Sequence, residues 1–286
     1  MKIPPSTWPF KPSAKAPSSG GRPTFPARLN IAPGNSLAPQ SAAASQRQTG
    51  AAPPNEAQKA LQAVLPVGQG LDVRAIRSRM VHKLAAQGVS DQPVLVALGT
   101  VERHRFVDTA LDSLAYEDTS LPIGLGQTIS KPSVVARMLE LLQHGVHDAS
   151  GKLGRVLEIG TGCGYQTVVL SHLATEVYSM ERLRGLHDKA RENLRTLRLA
   201  NVHLLFGDGM AGFPKGAPYA AIISAAGGEA IPPAWVEQLA VGGRLVAPLQ
   251  MADGSQALVV IDKTTQGVRQ TLLEAVNFVP LKSGTS

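Results

Sequence analysis

The sequence predicts a doubly wound α/β fold. We expect a mostly parallel, seven-stranded Rossmann-like sheet preceded by an N-terminal helical subdomain. Three observations carry this. From residue 153 onward, short β-rich runs alternate with helical stripes. The first run, Arg155-Val156-Leu157-Glu158-Ile159, feeds straight into Gly160-Thr161-Gly162-Cys163-Gly164, with glycine at every second position. The last two runs, with a turn near residues 264–267, read as a closing antiparallel pair.

Residues 1–70 hold 12 of the 21 prolines, seven of the 28 basic residues and one of the 21 acids. A segment of this composition, without periodicity, cannot bury enough apolar surface to offset chain entropy, and a disordered basic tail is expected. The overall charge of +7 is therefore mostly the tail's; residues 71–286 carry +1. A basic surface for nucleic acid is not expected. Order should begin near Leu71. Val73, Ile76, Met80, Val81 and Leu84 form a helical stripe that stops at Gly88. Residues 94–98 continue helical up to Gly99-Thr100, and 106–122 are loop-rich. After Ser130-Lys131-Pro132, Val134, Val135, Met138, Leu139 and Leu142 form a second stripe. Strands are expected at 156–159, 176–180, 202–206, 219–224 and 242–248, with helices at 167–173, 183–199 and 233–239. The closing pair is 256–262 and 272–279. Residues 71–150 thus form a helical, loop-bearing part and 151–286 a ligand-binding sheet.

The 286 residues are 43% hydrophobic, enough for a sizeable core. Cys163 is the single cysteine, so no internal disulfide is possible, which fits a reducing compartment. No stretch resembles a membrane span, and prolines at the start replace the apolar run of a signal peptide. The cytoplasm, a monomer and no membrane partner are expected.

A strand, a glycine-rich turn and a helix are how parallel α/β folds hold a nucleotide-like cofactor. A dinucleotide fingerprint would need its third glycine at position 165, which is Tyr165. The chain instead carries E-x-G-x-G-x-G, from Glu158 through Gly160 and Gly162 to Gly164. That pattern resembles motif I of the S-adenosylmethionine (AdoMet) methyltransferases. Glu181, closing the second strand, is placed for the ribose hydroxyls; alternatively it is an acid favoured at a helix N-terminus. Asp208 and Gly209, in Gly207-Asp208-Gly209 after the third strand, sit where an adenine amino group is met, although Asp-Gly is also a common turn pair. Ser130 has proline two residues later, and from pattern alone the helix N-cap is favoured; Thr128 shares the ambiguity. His144 and His147 lack further ligands nearby, so surface histidines and no metal are expected. Cys163 reads as a small filler.

From about Val73 onward the chain resembles the bacterial protein-L-isoaspartate O-methyltransferases. The resemblance rests on Arg103-His104-Arg105-Phe106-Val107, Leu114-Ala115-Tyr116-Glu117-Asp118 and Leu121-Pro122-Ile123-Gly124-Leu125-Gly126-Gln127-Thr128-Ile129-Ser130-Lys131-Pro132. Within the sheet it adds the glycine loop, Val177-Tyr178-Ser179-Met180-Glu181-Arg182, Gly207-Asp208-Gly209, Gly242-Gly243-Arg244-Leu245-Val246-Ala247-Pro248 and Phe278-Val279-Pro280-Leu281. The resemblance implies methyl transfer from AdoMet, with S-adenosylhomocysteine (AdoHcy) as product, to the α-carboxylate of isoaspartyl residues in damaged peptides and proteins. The ester then closes to a succinimide, which starts repair. It implies Ser130 as the active-site serine and Gln127, Thr128, Glu158, Gly160, Gly162, Gly164, Glu181, Asp208 and Gly209 around the cofactor. The alternative within the same fold is a carboxyl methyltransferase for a small molecule or another protein carboxylate. Ser224-Ala225-Ala226-Gly227-Gly228-Glu229 departs from the family's usual Val-Thr-Ala-Ala-Ala-Pro, and Lys282 stands where threonine is frequent.

Overall fold

A computed structural model describes residues 73–145 and 150–286. The expected N-terminal tail, Leu71 and His147 lie outside them. Helices α1 (Val73–Ala86) and α2 (Gln92–Thr100) come first, then two 3-10 turns, Arg103–Phe106 and Thr109–Leu114. Next are a hairpin of β1 (Leu121–Gly124) and β2 (Gln127–Ile129), and helix α3 (Pro132–Gln143). The sheet portion runs β3 (Leu153–Ile159), α4 (Tyr165–Leu173), β4 (Ala174–Glu181), α5 (Arg184–Arg195), β5 (Val202–Phe206) and β6 (Tyr219–Ser224). It ends with α6 (Pro233–Gln238), β7 (Leu239–Gln250), β8 (Gln256–Thr264) and β9 (Gly267–Val276).

The seven strands lie in the order β5-β4-β3-β6-β7-β8-β9. β5 through β7 are parallel, and β7-β8-β9 are antiparallel. The chain runs outward from β3 in both directions, so a topological switch point opens between β3 and β6 at their C-terminal ends. Both faces of the sheet are covered, which is why β3 and β6 read as near-continuous apolar runs. Val156, Val177, Ile223 and Val246 pack in one layer with α2, α3 and α4. Leu157, Ile222 and Leu245 pack in the other, against Trp235 of α6.

Several boundaries differ from expectation. The helix expected over 183–199 stops at Arg195, and Arg198 at φ 50° turns the chain into β5. β7 starts at Leu239, not 242. β9 starts at Gly267, not 272, because the hairpin turn takes only two residues; its first six residues are exposed and carry no apolar alternation. The loop expected over 106–122 contains the second 3-10 turn and leads into the unforeseen β1-β2 hairpin. Its tip holds Gly124, Leu125 and Gly126 at φ 98°, 53° and 69°.

Candidate functional site

A cleft of about 350 Å³ opens at the switch point. Its floor is made of strand ends: Ile159 and Gly160 at the end of β3, Met180 and Glu181 at the end of β4, Gly209 beyond β5, and Ala225 and Ala226 beyond β6. The β1-β2 hairpin contributes Gln127 and Thr128, and the C-terminal segment contributes Val279 to Lys282. A cavity of about 40 Å³ continues inward, lined by Thr128, Ser130, Gly160, Gly162, Tyr165 and Gln166 among others. Backbone at Gly160, Gly162 and Gly209, a carboxylate at Glu181 and apolar walls from Ile159, Met180, Leu183 and Leu186 fit a nucleoside carrying a polar tail. AdoMet has that chemistry.

The glycine loop hangs from β4: the Gly160 and Thr161 amides donate to the Met180 carbonyl at 2.9 and 3.2 Å. Its three glycines do different work. Gly160 and Gly162 line the cleft, at φ 90° and 56°. Gly164, also at φ 90°, does not line it; a Cβ there would stand 2.6 Å from the Leu194 side chain. That glycine lets α4 and α5 pack closely. Glu181 accepts from the Gly162 amide and the Leu183 amide, both at 2.9 Å. It therefore ties loop to helix while bordering the cleft. Asp208 accepts from the Met210 amide at 2.9 Å, and its other oxygen takes the Gly284 amide at 2.7 Å. The C-terminal segment is also stitched to Gly227 by two backbone bonds of 2.7 and 2.9 Å. The departing stretch after β6 is thus held by that segment, and Lys282 lines the cleft beside it.

Glu158 differs from expectation. It is fully buried and lines neither cavity. Its carboxyl accepts from Thr167 at 2.5 Å, Ser179 at 2.6 Å and Gln166 at 3.1 Å, a polar post beneath the loop. Burial pushes its pKa from the usual 4.5 up to about 7, against the pull of those donors. Below about 4.5 both folded and unfolded chains are protonated; between 4.5 and 7 only the folded one keeps the proton. Glu158 thus costs stability as pH rises through that window, levelling above 7, by ~3 kcal/mol in all. Glu158→Gln is expected to flatten the fall of the melting temperature between pH 4.5 and 7; an unchanged difference between variant and parent across that range would contradict this.

Ser130 is not the cap of α3. Lys131 holds that position without a side-chain bond, and Asp118 caps from a distant loop, accepting the Ser133 amide at 2.8 Å. Among the described residues no protein group takes the Ser130 hydroxyl, which is left to the inner cavity. Three functional residues escaped the sequence reading. Lys189 donates to the Ile123 carbonyl at 2.9 Å and latches the hairpin to α5. Asp118 and the fully buried Arg103 fix the chain around Ser130: the Arg103 Nη2 donates to the Ser130 carbonyl at 2.7 Å. The sequence offered little signal for them, because Arg103 stands beside His104 and Arg105 and Asp118 beside Glu117. Cys163 is buried, and burial pushes its thiol pKa up. Among the described residues no group of three or more His, Cys, Asp or Glu could hold a metal, and no helix is long and apolar enough to cross a membrane.

Residues 75–286 match the profile of the protein-L-isoaspartate(D-aspartate) O-methyltransferases. The chain is 59% identical over 222 residues to a protein-L-isoaspartate O-methyltransferase of Methylibium petroleiphilum, covering 77% of this chain and 82% of that one. It is 49% identical over 270 residues to one of Ralstonia nicotianae, covering 90% and 84%. A solved protein-L-isoaspartate O-methyltransferase superposes with a TM-score of 0.65 at 28% identity, covering 72% of this chain and 66% of that one. A β-aspartate methyltransferase from Plasmodium falciparum, solved with S-adenosyl-L-homocysteine, shares the fold at TM-score 0.62 and 24% identity, covering 72% and 98%. With the profile covering the hairpin, the glycine loop and the whole sheet, the chain belongs to the protein-L-isoaspartate(D-aspartate) O-methyltransferase family.

Proposed function

We propose that the chain transfers a methyl group from AdoMet to the free α-carboxylate of L-isoaspartyl residues, with Ser130 orienting the acceptor. The observation that carries this is the meeting, in one cavity, of Ser130 and Thr128 from the hairpin side with Gly160 and Gly162 from the glycine loop. Acceptor and donor loops thus face one small space. AdoMet supplies an electrophilic methyl whose leaving group is a neutral thioether. A carboxylate is ionised at pH 7, so no general base is required, and one C–O bond forms as one C–S bond breaks. The protein's work is in-line positioning and exclusion of water. The Ser130 hydroxyl donates to one carboxylate oxygen, while Ile123, Ile129 and Val135 keep the cavity apolar.

On the cofactor side, Glu181 takes the ribose hydroxyls with the acceptor capacity its two amide bonds leave free. Gly209 meets the adenine, while Asp208, which lines neither cavity, holds the C-terminal segment beside it; Gly160, Gly162, Gln127 and Thr128 border the cofactor, and Gly164 and Glu158 shape the loop from behind. Within residues 71–150, Ser130 supplies the acceptor side and Gln127 and Thr128 join the cofactor side, of which 151–286 supply the rest. A monomer working in the cytoplasm, without nucleic acid or membrane, agrees with the near-neutral residues 71–286 and the single cysteine. The product tests the chemistry. A methylated isoaspartyl peptide is expected to lose methanol in mild base and give a succinimide; a base-stable methyl product would refute a carboxyl ester.

A further inference from the structure

Arg103 is a buried cation without a counter-ion, placed directly behind Ser130. It is 0% exposed. Nε donates to the Ala115 carbonyl at 2.8 Å and Nη2 to the Ser130 carbonyl at 2.7 Å. The guanidinium carbon lies 4.8 Å from the centre of the Tyr165 ring, and Tyr165 lines the inner cavity together with Ser130. Nη1 and the Tyr165 hydroxyl are buried close to one another, and among the described residues neither meets any other hydrogen-bonding group. Among the described residues no carboxylate forms an ion pair with Arg103. Asp118 acts on it only from a distance and spends one oxygen on the α3 cap. Tyr165 and Cys163 stay neutral, because burial raises both of their pKa values. A guanidinium is always charged, and burying one without an anion is costly.

We propose that Arg103 is a positioning residue that makes the Ser130 cavity selective for an anionic acceptor, supplying through the Ser130 main chain the positive field that draws in the isoaspartyl carboxylate. This rests on Ser130 facing the acceptor. The indirect placement has a chemical reason. The carboxylate loses its charge as the ester forms, so a direct ion pair would stabilise the ground state more than the transition state and slow the transfer. A cation held one residue back aids binding while leaving the attacking oxygen free. Arg103 therefore acts on KM and little on kcat.

The test compares two peptides on the AdoHcy-loaded protein: an isoaspartyl peptide and its isoasparaginyl counterpart, in which a carboxamide replaces the α-carboxylate. Calorimetry is run on the parent, Arg103→Met and Arg103→Lys, with kcat and KM measured alongside. The parent should prefer the carboxylate peptide. Arg103→Met should bind that peptide about tenfold more weakly, the scale of a charge pair in a partly screened site, and bind the carboxamide peptide as before. Arg103→Lys, which keeps the charge, should keep the preference. Equal weakening of both peptides by Arg103→Met, or loss of the preference in Arg103→Lys, would overturn the proposal. If Arg103→Met does not hold AdoHcy, Arg103→Gln replaces it; if neither neutral variant folds, the lysine variant decides alone. A parent protein with no preference for the carboxylate would instead remove the acceptor assignment itself.

Discussion

Ser130→Ala is expected to lower kcat on an isoaspartyl peptide about 100-fold while AdoHcy binds with unchanged affinity, since a misplaced acceptor forfeits about that much rate. The hydroxyl borders the inner cavity, and no described protein group competes for it. Its loss removes the donor that fixes the attacking carboxylate. The α3 cap should survive, because Asp118 supplies it, so the melting temperature should hardly move. Steady-state kinetics and AdoHcy calorimetry on the same preparation check both halves. Near-full turnover would show that Ser130 has no orienting role.

Glu181→Ala is expected to weaken AdoHcy binding by about 100-fold, the scale of lost hydrogen bonds to a charged group. The carboxylate is 5% exposed and holds the Gly162 and Leu183 amides. Removing it both leaves those donors unpaired and takes away the ribose acceptor. Calorimetry reads the change directly. Affinity within about twofold of the parent would mean that Glu181 serves the fold alone, as the helix-terminal acid that its sequence position equally allowed.

The parallel core was legible because strands buried on both faces are largely apolar, as β6 and the Val156, Leu157 and Ile159 positions of β3 are. β9 was placed five residues late because an exposed edge strand needs no alternation. The hairpin over the cleft was missed for another reason. Its closure depends on a non-glycine residue at positive φ, Leu125, and on Lys189 reaching it from α5. The alternating glycines read as one cradle, yet only their neighbours in space divide them: Leu194 explains Gly164, and the cleft explains Gly160 and Gly162. In the same way an acid inside a buried strand looked like a cofactor contact until Thr167, Ser179 and Gln166 were found to occupy it. Ser130 was ambiguous because the serine-proline pattern of a cap is local, whereas the true cap comes from Asp118.

The central claim is that the methyl group goes to a carboxylate presented by an isoaspartyl linkage. The most direct measurement is transfer of a radiolabelled methyl from AdoMet to two peptides that differ only in an isoaspartyl or a normal aspartyl residue. The account predicts base-labile label on the isoaspartyl peptide and essentially none on its isomer. Equal labelling of the two, or label on neither while AdoMet binds, would contradict it.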